Sequence, residues 1–356
     1  MAAKTRTKRV LVAMSGGVDS SVAAARLLDA GYEIAGVTMK LWGGPSDTGC
    51  CSVSDVDDAR WAADELGIEH HVFNFGDDFE RHVVAPYAAD HAAGLTPNPC
   101  VECNRHIKFD RLLHRAEALG FDLVATGHHA RIVSTAAGLR LRRGADTGKD
   151  QSYVLHMLGP EVLARLLLPA GETTKQQVRR EAEERGLVTA NKPDSQEVCF
   201  ITTAQGRRRF LSQRIPMRPG RVVDTSGAQV GSVESLELLT VGQRRGLGAL
   251  GGGSPRYVLD VDAQSATVTV GSLAELDCQA TPLTGWRWMD QPVSGEVLVQ
   301  TSAHGVAAAA TIDADGEQVR WIEPRRRVAP GQAVVAYQDD IVIGGGAAAM
   351  VAGSYS

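Results

Sequence analysis

A short Ser/Gly loop near the N-terminus has the residue types and spacing that bind an anion. The loop, Ser15–Ser20 (SGGVDS), follows a strand-like apolar run over Lys8–Met14 and precedes a helix-like run over Val22–Leu28. Its glycines let the backbone approach closely, and the first amide groups and the dipole of the helix attract negative charge. The loop lacks the ending of a P-loop and the spacing of a dinucleotide fingerprint. The simpler alternative is a helix N-cap after a buried strand.

Two cysteines, Cys100 and Cys103, lie where a thiol is expected to be reactive. They occur in TPNPCVECN (residues 96–104), where two prolines favour an extended entry and a helix is predicted to follow. A thiol near a helix N-terminus and basic side chains has a lowered pKa and reacts as the thiolate. The basic neighbours here are Arg105, His106 and Lys108. Half a zinc site is the alternative, but the sequence has no second Cys-x-x-Cys or His-x-x-His to complete it.

A third cysteine, Cys199, follows the polar segment Asn191–Glu197 where the sequence turns apolar. On its own it is typical of a half-buried strand residue. Beside a reactive thiol and an anion-binding loop, a second redox thiol becomes the better interpretation. The remaining cysteines have no partner that the sequence identifies; they are Cys50, Cys51 and Cys278.

Three further segments carry groups that can contact phosphates or bases. Lys149 can meet a phosphate, and Asp150 and Gln151 can hydrogen-bond base or ribose edges, although Asp150 equally suits a helix N-cap. Residues 205–221 hold six arginines and no acidic residue, which suits a phosphate-binding face but equally a solvated linker or a helix flank. Gly242–Gly248 is a glycine-framed basic turn, which is either a phosphate contact or a turn of a β-barrel.

Alternating strands and helices must position these groups. Strands are predicted over Glu33–Met39, His70–Phe75 and Asp122–Thr126, and helices over Asp55–Leu66, Asp78–Ala93, Asn104–Leu119 and Glu172–Arg185. The alternation predicts a parallel sheet covered on both faces, whose ligands lie beyond the carboxyl ends of the strands. The Ser15 loop, Met39 and Gly127-His128 would share that edge.

After about residue 205 the pattern changes to short strands between Gly and Pro turns, which predicts small β-barrels. These strands are Arg221–Val223, Tyr257–Val261, Ala266–Val270, Val297–Val299, Ala307–Ile312, Gln318–Ile322, Ala333–Tyr337 and Ile341–Ile343. We therefore predict an α/β catalytic domain over residues 1–205, a central small β domain over 206–279 and a C-terminal β-barrel domain over 280–356.

Composition excludes some classes of protein. The 356 residues carry a net charge of −5, which argues against a protein that coats nucleic acid but leaves room for a local basic face. No apolar run approaches the about 20 residues of a membrane span, and no signal-type apolar segment follows the basic N-terminus. A cytoplasmic protein without a membrane partner is therefore expected. Six cysteines in a cytosolic chain favour chemical or metal-binding roles over structural disulfides.

The Ser15 loop resembles the SGGxDS loop, or PP-loop, of ATP pyrophosphatases, which split ATP between the α and β phosphates and place AMP on a substrate oxygen. Taken together, the segments resemble in order those of the tRNA-specific 2-thiouridylase (MnmA/TrmU) family. The matching pieces are Ala13–Ser21, Gly36–Lys40, Thr96–Pro99, Cys103-Asn104, Ile107–Phe109, Ala125–His128, Lys149–Tyr153, Asp194-Ser195, Cys199–Ile201, Gly242–Gly248 and Pro330–Gln332. The two cysteine segments and the Lys-Asp-Gln run are the most specific, and the resemblance covers nearly the whole chain.

This resemblance implies an adenine-nucleotide α-hydrolase-like (PP-loop) fold for the first domain and three sets of site residues. ATP with Mg²⁺ would bind at Ala13, Met14, Ser15, Gly16, Gly17, Val18, Asp19, Ser20, Met39 and Gly127. Asn98, Pro99 and Cys100 match positions that contact the target base, and further tRNA contacts are implied at His128, Lys149, Asp150, Gln151 and Gln332. Cys103 is implied as a nucleophile and Cys199 as the carrier of a persulfide, and the two would close a transient Cys103–Cys199 disulfide.

The implied reaction makes 2-thiouridine at wobble position 34 of tRNA. The C2 oxygen of uridine attacks the α-phosphate of ATP, and the sulfur carried by Cys199 then replaces AMP, either by direct attack on C2 or after release by Cys103. Implied partners are tRNAs for Lys, Glu and Gln, a cysteine desulfurase or another sulfur-relay protein, and a cellular thiol reductant.

Some alternatives stay open. Many members of the family have Asp where this chain has Cys100, and Cys100, Cys103 and Cys199 can alternatively hold three corners of an iron–sulfur cluster. A basic and aromatic stretch common in the C-terminal domain of the family reads TSAHG (residues 301–305) here, so tRNA contacts of that domain are in question. The rival functions are another PP-loop ligase or amidotransferase and an ATP-gated tRNA-binding module, neither of which needs a thiol at position 199.

Overall fold

The computed structural model describes residues 7–42, 53–194, 198–201, 206–247 and 255–350. Cys50, Cys51, Ser195–Glu197 and Gly248 therefore lie outside the described residues. The chain divides into two compact units. The first unit comprises Met1–Val83, Cys100–Thr203 and Asp340–Val342, and the second comprises Val84–Pro99, Ala204–Asp339 and Ile343–Ser356.

Helices and strands alternate through the first half of the chain, and strands dominate the second half. Within the described residues the α-helices are α1 (Val18–Asp29), α2 (Val53–Leu66), α3 (Gly76–Phe79), α4 (Ala85–Ala92), α5 (Pro99–Glu102), α6 (Leu112–Ala118), α7 (Pro160–Leu163), α8 (Lys175–Glu184) and α9 (Gly206–Ser212). The strands there are β1 (Arg9–Ala13), β2 (Glu33–Lys40), β3 (His70–Asn74), β4 (Leu123–Thr126), β5 (Ala130–Thr135), β6 (Gly138–Arg143), β7 (Leu166–Leu167), β8 (Gly220–Val223), β9 (Gln229–Val233), β10 (Tyr257–Asp262), β11 (Thr267–Gly271), β12 (Asp277–Trp288), β13 (Val297–Gln300), β14 (Ala308–Ile312), β15 (Gln318–Arg326), β16 (Ala333–Gln338) and β17 (Ile341–Ala348). Two π-helical stretches, Glu80–Val84 and Cys103–Arg111, continue neighbouring α-helices.

A five-stranded parallel sheet in the order β3-β2-β1-β4-β7 organises the first unit. The last residue of β1, Ala13, pairs with Val37 on β2 and with Thr126 on β4. Val10 and Val12 are fully buried, as expected for a central strand that is covered on both faces. The predicted α/β class and the four predicted strands of this region are confirmed, and the carboxyl end of β1 lies between those of β2 and β4.

Helix α1 is held against helix α8 by an apolar seam and an ion pair. Val18 and Val22 on α1 pack with Val178 and Ala182 on α8. Farther from the Ser15 loop, Arg26 on α1 pairs with Glu181 on α8 at 2.6 Å. Helix α8 begins with a capping box in which the Thr174 and Gln177 side chains each bond the backbone N–H of the other residue. The first turns of α1 and α8 are thereby fixed beside each other.

The second unit contains two β-structures. The first is a four-stranded sheet in the order β10-β11-β8-β9, with a core that includes Val222, Val258 and Val268. The second is a six-stranded barrel in the order β12-β15-β14-β13-β16-β17, which closes because β12 also pairs with β17. These structures confirm the predicted small β domains in the second half of the chain.

No helix within the described ranges is long and apolar enough to cross a membrane.

His156, a buried histidine of the first unit, makes the stability of the folded protein depend on pH. The Nδ1 atom of His156 lies 2.8 Å from the carbonyl oxygen of Tyr153. Burial lowers the pKa of His156 to about 4, against the opposing effect of that carbonyl. An unfolded histidine titrates near pH 6.5, so between about pH 6.5 and 4 only the unfolded chain binds the extra proton.

We expect stability to be full above about pH 6.5 and to fall toward pH 4, by at most about 1.4 kcal/mol per pH unit for this group. Urea denaturation at pH 7 and at pH 5 measures the difference, which should be smaller in His156→Gln than in the parent. An identical pH dependence in both proteins would contradict this assignment.

Candidate active site

The Ser15 loop leaves the carboxyl end of β1 and enters α1 with an open helix N-terminus. Gly17 is the N-cap residue of α1, and no side chain of the described residues caps it. The first amide groups of the helix are therefore directed at a prospective anion. The Ser20 hydroxyl accepts a hydrogen bond from the Ser15 N–H at 3.2 Å and donates one to the Gly17 carbonyl at 3.0 Å. The Ser20 hydroxyl thus links the two ends of the loop and stabilises its conformation.

Two glycines are sterically required around this loop. Gly16 has a φ of +70°, and a Cβ there would lie 2.3 Å from the Asp55 carbonyl oxygen. Gly127 follows β4, and its Cβ would lie 2.6 Å from the Ser20 nitrogen and 2.7 Å from the Asp19 carbonyl carbon. Both distances are far below contact, so the neighbouring backbones approach closely only because these residues are glycine. The ends of β1 and β4 are in this way brought against the start of α1.

The loop gives a matched pair of alanine substitutions, one expected to destabilise the protein and the other to leave its stability nearly unchanged. Gly16→Ala combines left-handed strain with a backbone clash and should cost at least about 1–3 kcal/mol. Gly17→Ala should change stability by less than about 1 kcal/mol, because φ is −98° and its Cβ would lie 3.4 Å from the nearest atom, Ser15 Oγ. Chemical denaturation of both variants measures the contrast, and equal stabilities would contradict the described loop geometry.

An ion-pair network joins the loop to the segment that precedes Cys199. Asp19, in the first turn of α1, accepts from His129 Nε2 at 2.9 Å and from Lys175 Nζ at 2.6 Å. Lys175 Nζ also lies 2.9 Å from Asp194. Asp194 is bound in addition by Lys149 at 2.8 Å and by Arg179 at 2.7 Å. One carboxylate of the loop and one carboxylate five residues before Cys199 therefore share a single ammonium group.

The two carboxylates of this network stay ionised at any physiological pH. Burial alone would raise the pKa of Asp19, but hydrogen bonds from His129 and Lys175 outweigh it and hold the pKa below the usual range. Burial would also raise the pKa of Asp194, but hydrogen bonds from Lys149 and Lys175 hold that pKa well below the usual range. The network is therefore a fixed set of full charges beside the loop.

His128 and the run from Lys149 to Gln151 differ in what they offer to a ligand. His128 is buried, lies 2.7 Å from Thr126 Oγ1, and has a pKa held well below its usual range by burial and by Lys108 and His129. Asp150, with a side chain only 4% exposed, accepts from Gly144 N, from Ser152 and from Arg143. Gln151 accepts from the backbone N–H of His129. Only Lys149 of this run, 42% exposed, presents much side-chain surface.

The Cys100–Cys103 segment lies at the start of a continuous helical stretch. Cys100 is exposed on α5, whereas Cys103 is only 7% exposed and opens the π-helical segment Cys103–Arg111. The predicted helix is confirmed, although it begins earlier, at Pro99, and π-helical turns are frequent at functional sites. Glu102 lies 3.3 Å from His106, whose ring stacks on His82 at 5.0 Å.

Cys199 is half-buried beside an aromatic cluster at the end of β2. The adjacent Phe200 packs its ring 5.6 Å from Phe79 and 6.3 Å from Trp42, which lies two residues beyond β2. Phe79 ends α3, and the preceding Asp78 pairs with Arg111 at 3.0 Å. Since Arg111 ends the π-helix that Cys103 begins, α3 contacts both cysteine-bearing segments.

The alternative of an iron–sulfur cluster finds no support in the arrangement of the thiols. Throughout the described ranges, which include Cys100, Cys103 and Cys199, no three His, Cys, Asp or Glu side chains are grouped so that they could hold a metal ion. The residues present therefore do not fit a cluster.

Three of the residues implied to contact tRNA are not in the unit that contains the Ser15 loop. Asn98, Pro99 and Gln332 lie in the second unit. Gln332 Nε2 donates to the carbonyl of Thr96 at 2.9 Å, and the Thr96 N–H donates to Pro330 at 2.7 Å. Gln332 therefore anchors the segment that leads into Asn98 and Pro99.

Most arginines of the basic stretch at 205–221 bind protein groups. Arg207 donates to the Leu238 carbonyl at 2.6 Å, and Arg218 donates to the buried Glu237 at 2.8 Å and to the Ala92 and Ala263 carbonyls. Arg208 pairs with Glu234, and Arg214 lies over the Phe210 ring at 4.1 Å. The interpretation as a continuous phosphate-binding face is not supported, because these side chains fix α9 and β8 within their own unit.

Comparison with known proteins gives a consistent result along the chain. Family models described as "tRNA methyl transferase HUP domain", "tRNA methyl transferase PRC-barrel domain" and "Aminomethyltransferase beta-barrel domain" match residues 8–203, 208–272 and 280–348. A protein of Chloroflexus aggregans named tRNA-specific 2-thiouridylase MnmA is 48% identical over 95% of this chain and 97% of its own length. One of Mycobacteroides abscessus with the same name is 46% identical over 93% and 96%. The chain belongs to the tRNA-specific 2-thiouridylase family.

Three residues of the site in this family member were not identified from the sequence. They are His129, Lys175 and Arg179, which hold Asp19 and Asp194. Lys175 and Arg179 lie in a helix whose sequence, KQQVRREAEE, is typical of a solvated surface helix. The usable signal is the position of Lys175 directly after the capping residue Thr174, which places it at a helix N-terminus where a basic residue opposes the helix dipole.

Proposed function

We propose that this enzyme is a tRNA-uridine 2-sulfurtransferase that makes 2-thiouridine at wobble position 34, using ATP and a cysteine persulfide. The observation that carries the proposal is the combination, in one unit, of an open helix N-terminus at the Ser15 loop with Cys103 and Cys199 on segments that both contact α3. Membership of the 2-thiouridylase family supports the substrate and the product.

In the first step the loop binds the phosphates of ATP, accompanied by Mg²⁺. The full set of nucleotide-binding residues that we propose is Ala13, Met14, Ser15, Gly16, Gly17, Val18, Asp19, Ser20, Met39 and Gly127. Met39 is half-buried near the end of β2 and Gly127 follows β4, so they flank the loop on its two sides. The uridine C2 oxygen attacks the α-phosphate and pyrophosphate leaves, which converts a poor leaving oxygen into AMP.

In the second step sulfur replaces that oxygen. The terminal sulfur of the Cys199 persulfide forms a bond to C2, and AMP leaves with the former uridine oxygen. The Cys103 thiolate then attacks the Cys199 sulfur, so that the S–S bond to the tRNA breaks, thiolated tRNA is released and a Cys103–Cys199 disulfide forms. In the other order, Cys103 attacks first, and the sulfide it releases attacks C2. Either order ends with a disulfide that a cellular thiol reductant must reduce.

We propose Asn98, Pro99 and Cys100 at the target base, and Lys149, Asp150, Gln151, His128 and Gln332 as tRNA-binding positions, with Asp150, Gln151 and His128 acting from within the protein. tRNAs for Lys, Glu and Gln are the proposed substrates, and a cysteine desulfurase or another sulfur-relay protein is the proposed donor. We also propose a cytoplasmic location and domain boundaries after residues 205 and 279.

A thiolation assay with two tRNA transcripts tests the proposal. The enzyme, ATP, Mg²⁺ and a persulfide donor should convert a tRNA with uridine at position 34 and leave a transcript with cytidine there unchanged. Nucleoside mass spectrometry detects the product. Binding of tRNA without pyrophosphate release would favour a binding module, and ATP cleavage that needs a small carboxylate rather than tRNA would favour another PP-loop ligase.

A further inference from the structure

Lys175 contacts the Ser15 loop through Asp19, and the reaction steps above give it no role. Its side chain is only 12% exposed, and its ammonium is shared between Asp19 and Asp194. Its backbone is fixed as well, because its N–H donates to Asp146 at 2.9 Å and the capping box precedes it. This ammonium is held rigidly against Asp19, a residue of the loop itself, so it is already positioned next to a ligand of that loop.

The cations around Lys175 are matched by carboxylates. Lys149, Lys175 and Arg179 contact Asp19 and Asp194, and Asp146 lies beside the backbone N–H of Lys175. Asp19 belongs to the first turn of α1, whose uncapped N-terminus attracts anions. An anion at the loop would therefore be attracted by this helix end and would compete with the two carboxylates for the Lys175 ammonium.

The chemistry of the anion follows from what it must displace. To take the ammonium from two ionised carboxylates, a ligand needs several negative charges and several oxygen acceptors. The β and γ phosphates of a nucleoside triphosphate have both, whereas a nucleoside monophosphate has only a single phosphate. A lysine acts on such a group as a compact point charge with three donors.

We propose that Lys175 binds the pyrophosphate portion of ATP and stabilises it as the leaving group, an assignment that rests on the proposed function of the Ser15 loop. As the bond from the uridine oxygen to the α-phosphorus forms, the bond from that phosphorus to the bridging oxygen breaks. The electron pair stays on the departing pyrophosphate. The Lys175 ammonium offsets this new negative charge without transferring a proton.

Binding measurements without tRNA separate this role from a structural one. Titration calorimetry with Mg²⁺ compares α,β-methylene-ATP, inorganic pyrophosphate and AMP on the parent protein and on Lys175→Gln. We expect the Kd of the first two ligands to rise about 10- to 100-fold, as for loss of a hydrogen bond between charged groups, and that of AMP to change less than about threefold. Lys175→Arg keeps the charge and should recover most of the affinity.

Arg26→Gln is the matched control, because it also removes an ion pair between α1 and α8, with Glu181, but farther from the loop. It should leave the ratio of the ATP-analogue and AMP affinities unchanged. Equal weakening of all three ligands in Lys175→Gln, or no change in any, would overturn the assignment. If Lys175→Gln does not fold, a Lys175→Arg variant with parental Kd ratios supports the assignment, and one that loses AMP and pyrophosphate affinity equally overturns it. A parent protein that binds no nucleotide at all would overturn the proposed function as well.

Discussion

Cys199→Ser is expected to lower tRNA thiolation by at least about 10³-fold while leaving one equivalent of pyrophosphate release per enzyme. A serine hydroxyl cannot carry a persulfide, so the sulfur step stops, whereas the loop that binds ATP is unchanged. Thiolation is measured by nucleoside mass spectrometry and pyrophosphate by a coupled enzymatic assay in the same reaction. The aromatic contacts of Phe200 with Phe79 and Trp42 do not involve the thiol, so the variant should fold normally.

Cys278→Ser is the control for that experiment. Cys278 is half-buried on β12, and burial raises the pKa of its thiol, so it is a poor nucleophile at neutral pH. Its thiolation rate should stay within about twofold of the parent. Comparable losses in Cys199→Ser and Cys278→Ser would show that serine substitution damages the fold, and full activity of Cys199→Ser would contradict the persulfide mechanism.

Gly127→Ala is expected to weaken ATP binding about 100-fold or more, with a parallel loss of thiolation. The new Cβ would lie 2.6 Å from the Ser20 nitrogen, so the start of α1 and the end of β4 must separate. Misplacement of reacting groups by about 1 Å can cost about 100-fold in rate, so thiolation should fall at least as far as ATP affinity. Calorimetric titration with an ATP analogue measures the affinity.

Gly148→Ala provides the comparison for this prediction. A Cβ at Gly148 would lie 3.4 Å from Asp146 Oδ1, an ordinary contact, and its backbone N–H bond to Asp146 is retained in the variant. It should bind ATP as the parent does. A Gly127→Ala protein with unchanged ATP affinity would place the nucleotide away from this edge of the sheet.

The parallel sheet could be predicted from the sequence because its central strands β1 and β4 are short, buried apolar runs that alternate with helical segments. Five of the observed strands, β5, β6, β7, β9 and β12, were not predicted, and for two of them the reason is clear. Strand β6 reads GLRLRR, where arginines alternate with leucines, and Arg142 pairs across to Asp340 at 2.6 Å. Strand β12 contains Pro282 and Gly285, residues that usually indicate turns, yet it changes partner from β15 to β17 and so closes the barrel.

The site was predictable in part. A loop such as Ser15–Ser20 carries its chemistry in consecutive residues, so local sequence suffices to find it. The Asp19–Lys175 pair joins residues 156 positions apart, and only tertiary packing of α1 on α8 brings them together. The same limit applies to Asp150, whose polar side chain suits an RNA contact in sequence but binds Arg143 and two backbone N–H groups in the structure.

The fate of one oxygen atom tests the central claim, that ATP activates the base itself. A tRNA carrying ¹⁸O at O2 of uridine 34 is incubated with the enzyme, ATP, Mg²⁺ and a persulfide donor, and the AMP is examined by mass spectrometry. The mechanism predicts one ¹⁸O in AMP for each 2-thiouridine formed. AMP without the label, produced alongside 2-thiouridine, would contradict adenylation of the uridine oxygen.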